Sequence, residues 1–299
     1  MDATLLLKAI GALALMGLVI GAALAVASRA FHVEVDERVA RVNTMLPGAN
    51  CGACGNPSCF QVAVGMVEGT LPPTACTAGG PSVAEAVCET LGLEKATMAA
   101  VVSARHCGGG TRAERAFDYS GVLSCNAVQR VGGGDLACAW GCLGYGDCVS
   151  ACPFDAIHLD ERRLPVIDLR KCTGCGLCVK ECPRDRFKLL EMIPDDAAVV
   201  VRCSAHDKPA LRKKTCPVCC IACKKCEKAC ESDAIHVEDG NAVIDYAKCT
   251  ACGVCVEVCP QDCIDFTGAG SRLPTSAFDG KAGDAAVKPA SRPKEAAEA

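Results

Sequence analysis

Cysteine supplies 27 of the 299 residues, and most of them stand at spacings suited to iron–sulfur clusters. In a C-x2-C-x2-C-x3-C run, three thiolates at two-residue intervals wrap three corners of one [4Fe–4S] cube. In two-cluster ferredoxins the fourth thiolate, just before a proline, reaches the other cube. That rule gives Cys172, Cys175 and Cys178 to one cluster together with Cys152. It gives Cys138, Cys142 and Cys148 to a second together with Cys182, in a stretched form with a Gly-rich loop from Leu143 to Asp147. Further along, Cys249, Cys252 and Cys255 join Cys230, and Cys220, Cys223 and Cys226 join Cys259. Two departures mark this second copy: Glu231 follows Cys230 where proline is expected, and Cys216 or Cys219 is able to stand in for Cys220. A separate set, Cys51, Cys54, Cys59 and Cys76, lacks ferredoxin spacing, yet four thiolates on Gly- and Pro-rich turns close one cluster. The expectation is five [4Fe–4S] clusters, and several clusters in one chain mean a path for electrons.

Two other uses of cysteine compete. Disulfides belong to small secreted scaffolds, whereas tight C-x2-C pairs aim both sulfurs at one shared point. Zinc needs only four thiolates per site and is a real rival for the Cys51 set taken alone. The tandem shared-ligand pattern favours iron. Seven cysteines remain outside the five sets: Cys88, Cys107, Cys125, Cys203, Cys216, Cys219 and Cys263. Cys88 falls on the apolar side of a helical stretch and reads as core. Cys107, Cys125, Cys203 and Cys263 are isolated. No GxGxxG follows a strand, and there is neither a P-loop nor a nucleophile with a paired base, so no catalytic residue is assigned. A net charge of −4 argues against nucleic acid as a partner.

The elements that must hold these thiols follow from pattern. CPFDAIHLD with LPVIDLRKCTGCGLCVKECP is repeated as CESDAIHVED with NAVIDYAKCTACGVCVEVCP. Short alternating apolar stretches read as strands and the cysteine runs as turns leading into short helices. Ahead of them, Val35, Val39, Val42 and Leu46 repeat at helical spacing, and Ser82-Val-Ala-Glu85 has the form of a capping box. The fold class is α+β and multi-domain. Residues 1–28 form a transmembrane anchor and 29–106 a small helical [4Fe–4S] domain. Residues 107–134 are a Gly-rich connector, 135–193 and 194–267 two ferredoxin-like domains, and 268–299 a disordered tail.

From Ala9 to Ala27 every residue is apolar or glycine, and about 20 such residues span a bilayer. A cleaved signal peptide is the rival, but cleavage would carry the thiols to an oxidising side. Arg29, Arg38 and Arg41 follow the segment, which puts the bulk of the chain on the cytoplasmic side of the cell membrane. Gly17, Gly21 and Ala25 form a small-residue stripe that suits either a partner helix or lipid.

The segment GAALAVASRAFHVEVDERVARVNTMLPGANCGACGNPSCF resembles the B-type iron–sulfur subunit of the Rnf complex, an ion-translocating electron-transport complex. PPTACTAGG and CAWGCLGYGDCVSACPFDAI carry the same resemblance, which extends over about residues 5 to 267. It implies an iron–sulfur subunit of a membrane-bound ferredoxin:NAD oxidoreductase coupled to Na+ or H+ movement. It further implies sister membrane subunits as partners and reduced ferredoxin as electron donor. Flavin and NAD chemistry would lie in other subunits, in keeping with the missing nucleotide motifs. Lys213, Lys214, Lys224 and Lys225 either steer an acidic ferredoxin to the second ferredoxin-like domain or form an ordinary solvated face. The alternatives are a relay subunit of a formate- or hydrogen-linked membrane complex, and a structural zinc protein.

Overall fold

The computed structural model describes residues 3–31 and 36–267. The expected tail at 268–299 and Val35 of the helical stripe lie outside the described residues. Helix α1 (Ala3–Ala30) contains a stretch, Ile10–Ala30, of 21 residues with mean hydropathy 2.5 and no burial against the protein. Its length and composition allow it to cross a membrane. Nothing lies within 4 Å of where a Cβ on Gly17 or Gly21 would point, so the small-residue stripe is uncovered.

The helical unit is built on α2 (Glu37–Met45), α3 (Cys59–Val67) and α4 (Gly80–Leu91). Asp36 caps α2 by accepting from Arg38 N, and Ser58 caps α3 by accepting from Gln61 N. Val39 and Val42, one turn apart on α2, pack with Val62, Met66 and Val87. Helix α4 starts two residues before the expected Ser82 cap. Pro81 sits in its first turn, where the missing N–H costs nothing, and Ser82 falls inside the helix. Cys88 is buried, as a core residue should be.

Two units of like strand plan follow, each made of two antiparallel strand pairs. In the first, β1 (Val101–Arg105) pairs with β4 (Leu190–Pro194), and β2 (Ile157–Leu159) pairs with β3 (Pro165–Ile167). In the second, β5 (Val199–Val201) pairs with β8 (Ile264–Phe266), and β6 (Ile235–Glu238) pairs with β7 (Asn241–Ile244). Strand β1 lies inside the span expected to be helical. The alternating Val102 and Ala104 are buried against Ile193 and Val200, so the ladder draws 101–105 into the first unit.

Short helices carry the cysteine runs: α6 (Asp147–Ser150) and α7 (Leu177–Glu181) in the first unit, α9 (Lys225–Ala229) and α10 (Val254–Glu257) in the second. Each is entered through a left-handed residue, at Gly146, Gly176, Lys224 and Gly253. The chain between β1 and Asp135 folds back on the first unit through an antiparallel bridge of Arg115 with Leu136, and it contains α5 (Cys125–Gln129). Helix α8 (Pro209–Thr215) precedes the second cysteine run. The ends of β1 and β5 meet in an antiparallel bridge between Cys107 and Cys203.

Candidate iron–sulfur sites

Four hollows are walled by thiols. The first is lined by Cys51, Cys54, Cys59 and Cys76, the set read from sequence, with Leu46, Val62 and Ala78 closing its apolar side. Its loop is held by the Asn50 side chain, which accepts from Cys59 N at 2.8 Å.

In the second unit Cys220, Cys223, Cys226 and Cys259 line one void, as the spacing indicates. Cys263 lines it too, with its sulfur 3.7 Å from that of Cys259. The contact with the Cys263 thiol holds Cys259 down at about 5 and Cys220 at about 6. Cys220 thus keeps its expected place, and Cys216 and Cys219 stand elsewhere. Cys249, Cys252 and Cys230 lie beside Cys255, and burial pushes its thiol up to about 12. Glu231 in place of proline does no harm to Cys230, whose sulfur accepts from Ala234 N at 3.3 Å.

The first unit differs from its sequence reading at one position. Cys152, Cys172 and Cys175 all lie close enough to Cys178 to act on its thiol electrostatically. The other void, however, is lined by Cys125, Cys142, Cys148 and Cys182, and Cys138 is not among them. The cause lies in the loop. Cys142 and Cys148 are separated by the same interval as Cys220 and Cys226, so Tyr145 stands where Cys223 stands in the second unit. At that corner the hollow is lined by Cys125, from the connector. Asp147 anchors it: the carboxylate accepts from Cys125 N, Asn126 N and the Ser124 hydroxyl, each at 2.9 Å. Burial pushes the Asp147 carboxyl up, and these donors more than reverse that, leaving it below the usual range. Gly144 is needed for the loop itself, with φ +74 and a Cβ position 2.6 Å from Arg163 O.

Cys138 instead lines the remaining void, with Cys107, Cys203, Cys216 and Cys219. Sequence reasoning left four of those five thiols unassigned. A signal was present: when the two repeats are aligned on Cys142 and Cys220, Cys138 falls on Cys216.

The donor chemistry suits iron–sulfur clusters. Each of these walls combines soft thiols with an apolar surround, the environment that iron–sulfur clusters take from cysteine. Burial is the leading cause that raises Cys138 to about 11, Cys148 to about 12 and Cys182 to about 11. Such thiols give up their protons to a metal rather than to water.

Neighbouring sets adjoin one another. Cys51 is a charged neighbour of Cys175, and the Lys180 ammonium donates to Ala53 O at 3.0 Å across that contact. Cys178 neighbours Cys148, and Cys226 neighbours Cys255. Cys223 and Cys252 are exposed. Lys213, Lys214, Lys224 and Lys225 are all exposed as well, the last two directly after Cys223. Arg212, within the same basic stretch, is fully buried and not part of that surface.

Family models match three parts of the chain: a putative Fe–S cluster domain at residues 46–78, a 4Fe–4S dicluster domain at 139–189 and a 4Fe–4S binding domain at 242–265. Relatives that match most of the chain are also found. The B-type subunit of the Na+-translocating ferredoxin:NAD+ oxidoreductase complex of Acetobacterium woodii is 42% identical over 260 residues, covering 87% of this chain and 77% of that protein. The B-type subunit of the ion-translocating oxidoreductase complex of Methanosarcina acetivorans is 39% identical over 264 residues, covering 88% and 99%. The corresponding subunit of the proton-translocating ferredoxin:NAD+ oxidoreductase complex of Clostridium ljungdahlii is 37% identical over 263 residues, covering 87% and 92%.

Proposed function

The chain belongs to the family of B-type subunits of ion-translocating oxidoreductase complexes, and from that premise we propose that it takes electrons from reduced ferredoxin and relays them to membrane partner subunits. It acts as the iron–sulfur subunit of a ferredoxin:NAD+ oxidoreductase translocase and converts no substrate by itself. Clusters of the [4Fe–4S] type supply one-electron transfer when bound. Five thiol sets would hold them: Cys51, Cys54, Cys59 and Cys76; Cys152, Cys172, Cys175 and Cys178; Cys125, Cys142, Cys148 and Cys182; Cys220, Cys223, Cys226 and Cys259; and Cys230, Cys249, Cys252 and Cys255. Cys125 replaces Cys138 in the third of these.

The observation that carries the reading is that the solitary site after the apolar helix adjoins the first unit's sets, and that the second unit's paired sets end at an exposed thiol. Cys223 is exposed beside Lys224 and Lys225, which gives a soluble acidic donor both a charge to find and a short path inward. Helix α1 anchors the chain in the cell membrane, and Arg29 in its last turn with Arg38 and Arg41 beyond favours a cytoplasmic side for the rest. The names of the relatives include both sodium and protons as the coupled ion, and either fits this subunit, whose only candidate span among the described residues is α1.

The test is reduction of the anaerobically purified full chain by reduced ferredoxin, followed at cluster absorbance, with iron and acid-labile sulfide counted per chain. Rapid bleaching with sulfide matching iron supports the reading. Zinc without sulfide, or clusters that ferredoxin does not reduce, refutes it. Replacing Lys213, Lys214, Lys224 and Lys225 by alanine should lower the rate several-fold at low salt and leave little difference at high salt.

A further inference from the structure

The hollow at the join of the two units is walled by thiols, as are the hollows of three of the other sets. Every thiol lining it falls outside the three matched family models, whose spans begin at Ala139 and at Ala242 in this part of the chain. We propose that Cys107, Cys138, Cys203 and Cys216 hold a sixth [4Fe–4S] cluster, which passes electrons between the two units.

The repeat supplies the first argument. Cys107 and Cys203 end the equivalent strands β1 and β5, two residues beyond Arg105 and Val201, and bridge to one another. Cys138 and Cys216 each precede the first cysteine of the ferredoxin run, Cys142 and Cys220, by four residues. The site is therefore made of two equivalent pairs, one member of each pair from either unit. A single ferredoxin unit owns only half of it, and no run of spaced cysteines records it. Cys219 also lines the void but aligns with Gly141 and has no counterpart in the first unit.

The walls supply the second argument. Cys107, Cys138, Cys203 and Cys216 are all at most partly exposed, and Cys107, Cys203 and Cys216 all lie close enough to Cys138 to act on its thiol electrostatically. Arg212 is 2% exposed and lines the same void. Its terminal nitrogens donate to Ala205 O at 3.1 Å and Gly240 O at 2.6 Å, while its Nε is buried without a partner. A buried guanidinium held only by carbonyls needs a negative charge nearby. Four thiolates around a cluster carry a net negative charge, which Arg212 offsets.

Position supplies the third. Cys107 lies against the first unit's inner set, its sulfur accepting from Cys142 N at 3.4 Å. Cys203 lies against the second unit's set, with Cys220 as a charged neighbour. Held by these four thiols, a cluster would stand between the Cys220 set and the Cys142 set, where it would exchange single electrons with either, one side oxidised as the other is reduced.

This rests on the cluster reading of the other five sets, and the test separates the two. The full chain, purified anaerobically in detergent, is analysed for iron and sulfide and by electron paramagnetic resonance. The expected wild-type content is six cluster equivalents. Cys107→Ser, Cys138→Ser and Cys216→Ser should each remove the same signal and about one sixth of the iron, and Cys219→Ser should remove none. Arg212→Met should shift the potential of that signal downward, with Arg212→Lys restoring most of it. Five equivalents in the wild type overturn the sixth site while leaving the relay intact, and that count needs no variant to fold. Cys138→Ser and Cys107→Ser removing different signals overturns it as well. Zinc without sulfide defeats both readings together.

Discussion

The two units share one strand plan and nearly one cysteine plan, and the difference that matters most to cluster ligation lies at one corner. In the second unit the corner thiol is Cys223, exposed within its own run and followed by two lysines. In the first unit Tyr145 occupies that position, and Cys125 reaches in from a connector absent from the second. The Tyr145 hydroxyl donates instead to the buried Asp135 at 2.8 Å. The difference separates an exposed, lysine-flanked corner from a less exposed one closed by the connector. One substitution and one short helix make that difference.

The comparison breaks most visibly at Cys125. Cys125→Ser should cost the first unit one entire cluster, read as lost iron, sulfide and one resonance signal, although Cys125 belongs to no spaced run. Adding Tyr145→Cys to that variant rebuilds the full C-x2-C-x2-C run, and most of the lost iron should return. Failure of the double variant to recover any iron, with the fold intact by circular dichroism, breaks the equivalence of Tyr145 and Cys223. Asp147→Ala should act more mildly. It removes the carboxylate that holds Ser124, Cys125 and Asn126, a loss of about 1–3 kcal/mol. Its expected sign is faster chelator removal of the first unit's cluster, with the Cys220 set unchanged.

Smaller still is the effect expected at Cys263, which occupies the place of Leu189 in the first unit and touches Cys259. Cys263→Leu removes a sulfhydryl donor from the second unit's set and makes it resemble the first. The cluster should remain, with its potential shifted downward because hydrogen bonds to ligand sulfur favour the reduced state. Potentiometric titration reads this directly, and an unshifted potential assigns Cys263 to packing alone.

Much of this arrangement is legible in the sequence because cluster ligation within a run is local. Cys172, Cys175 and Cys178 need only a tight turn and the start of α7, and spacing records both. The strand pairs are equally plain, since Ile157 and Ile235 recur at the same point of the repeat. What spacing does not record is a thiol contributed across distance. Cys125 arrives through the Asp147 clamp, a tertiary contact. Cys107 and Cys203 are brought together by a bridge between strand ends. Strand β1 is hidden for the same reason: five residues that continue a helical unit become a strand only because β4, far along the chain, offers a partner. The stretched Cys138–Cys142 spacing invites a local reading, and alignment of the repeats, rather than counting along one run, separates Cys138 from it.

The most direct test of this account compares Cys125→Ser with Cys138→Ser in the same titration. Both chains are reduced stepwise under anaerobic conditions and followed by electron paramagnetic resonance, with iron counted in each. The account predicts that each variant lacks one cluster and that the missing signals differ in potential, because the two thiols stand in separate voids. Loss of one and the same signal from both variants would contradict it.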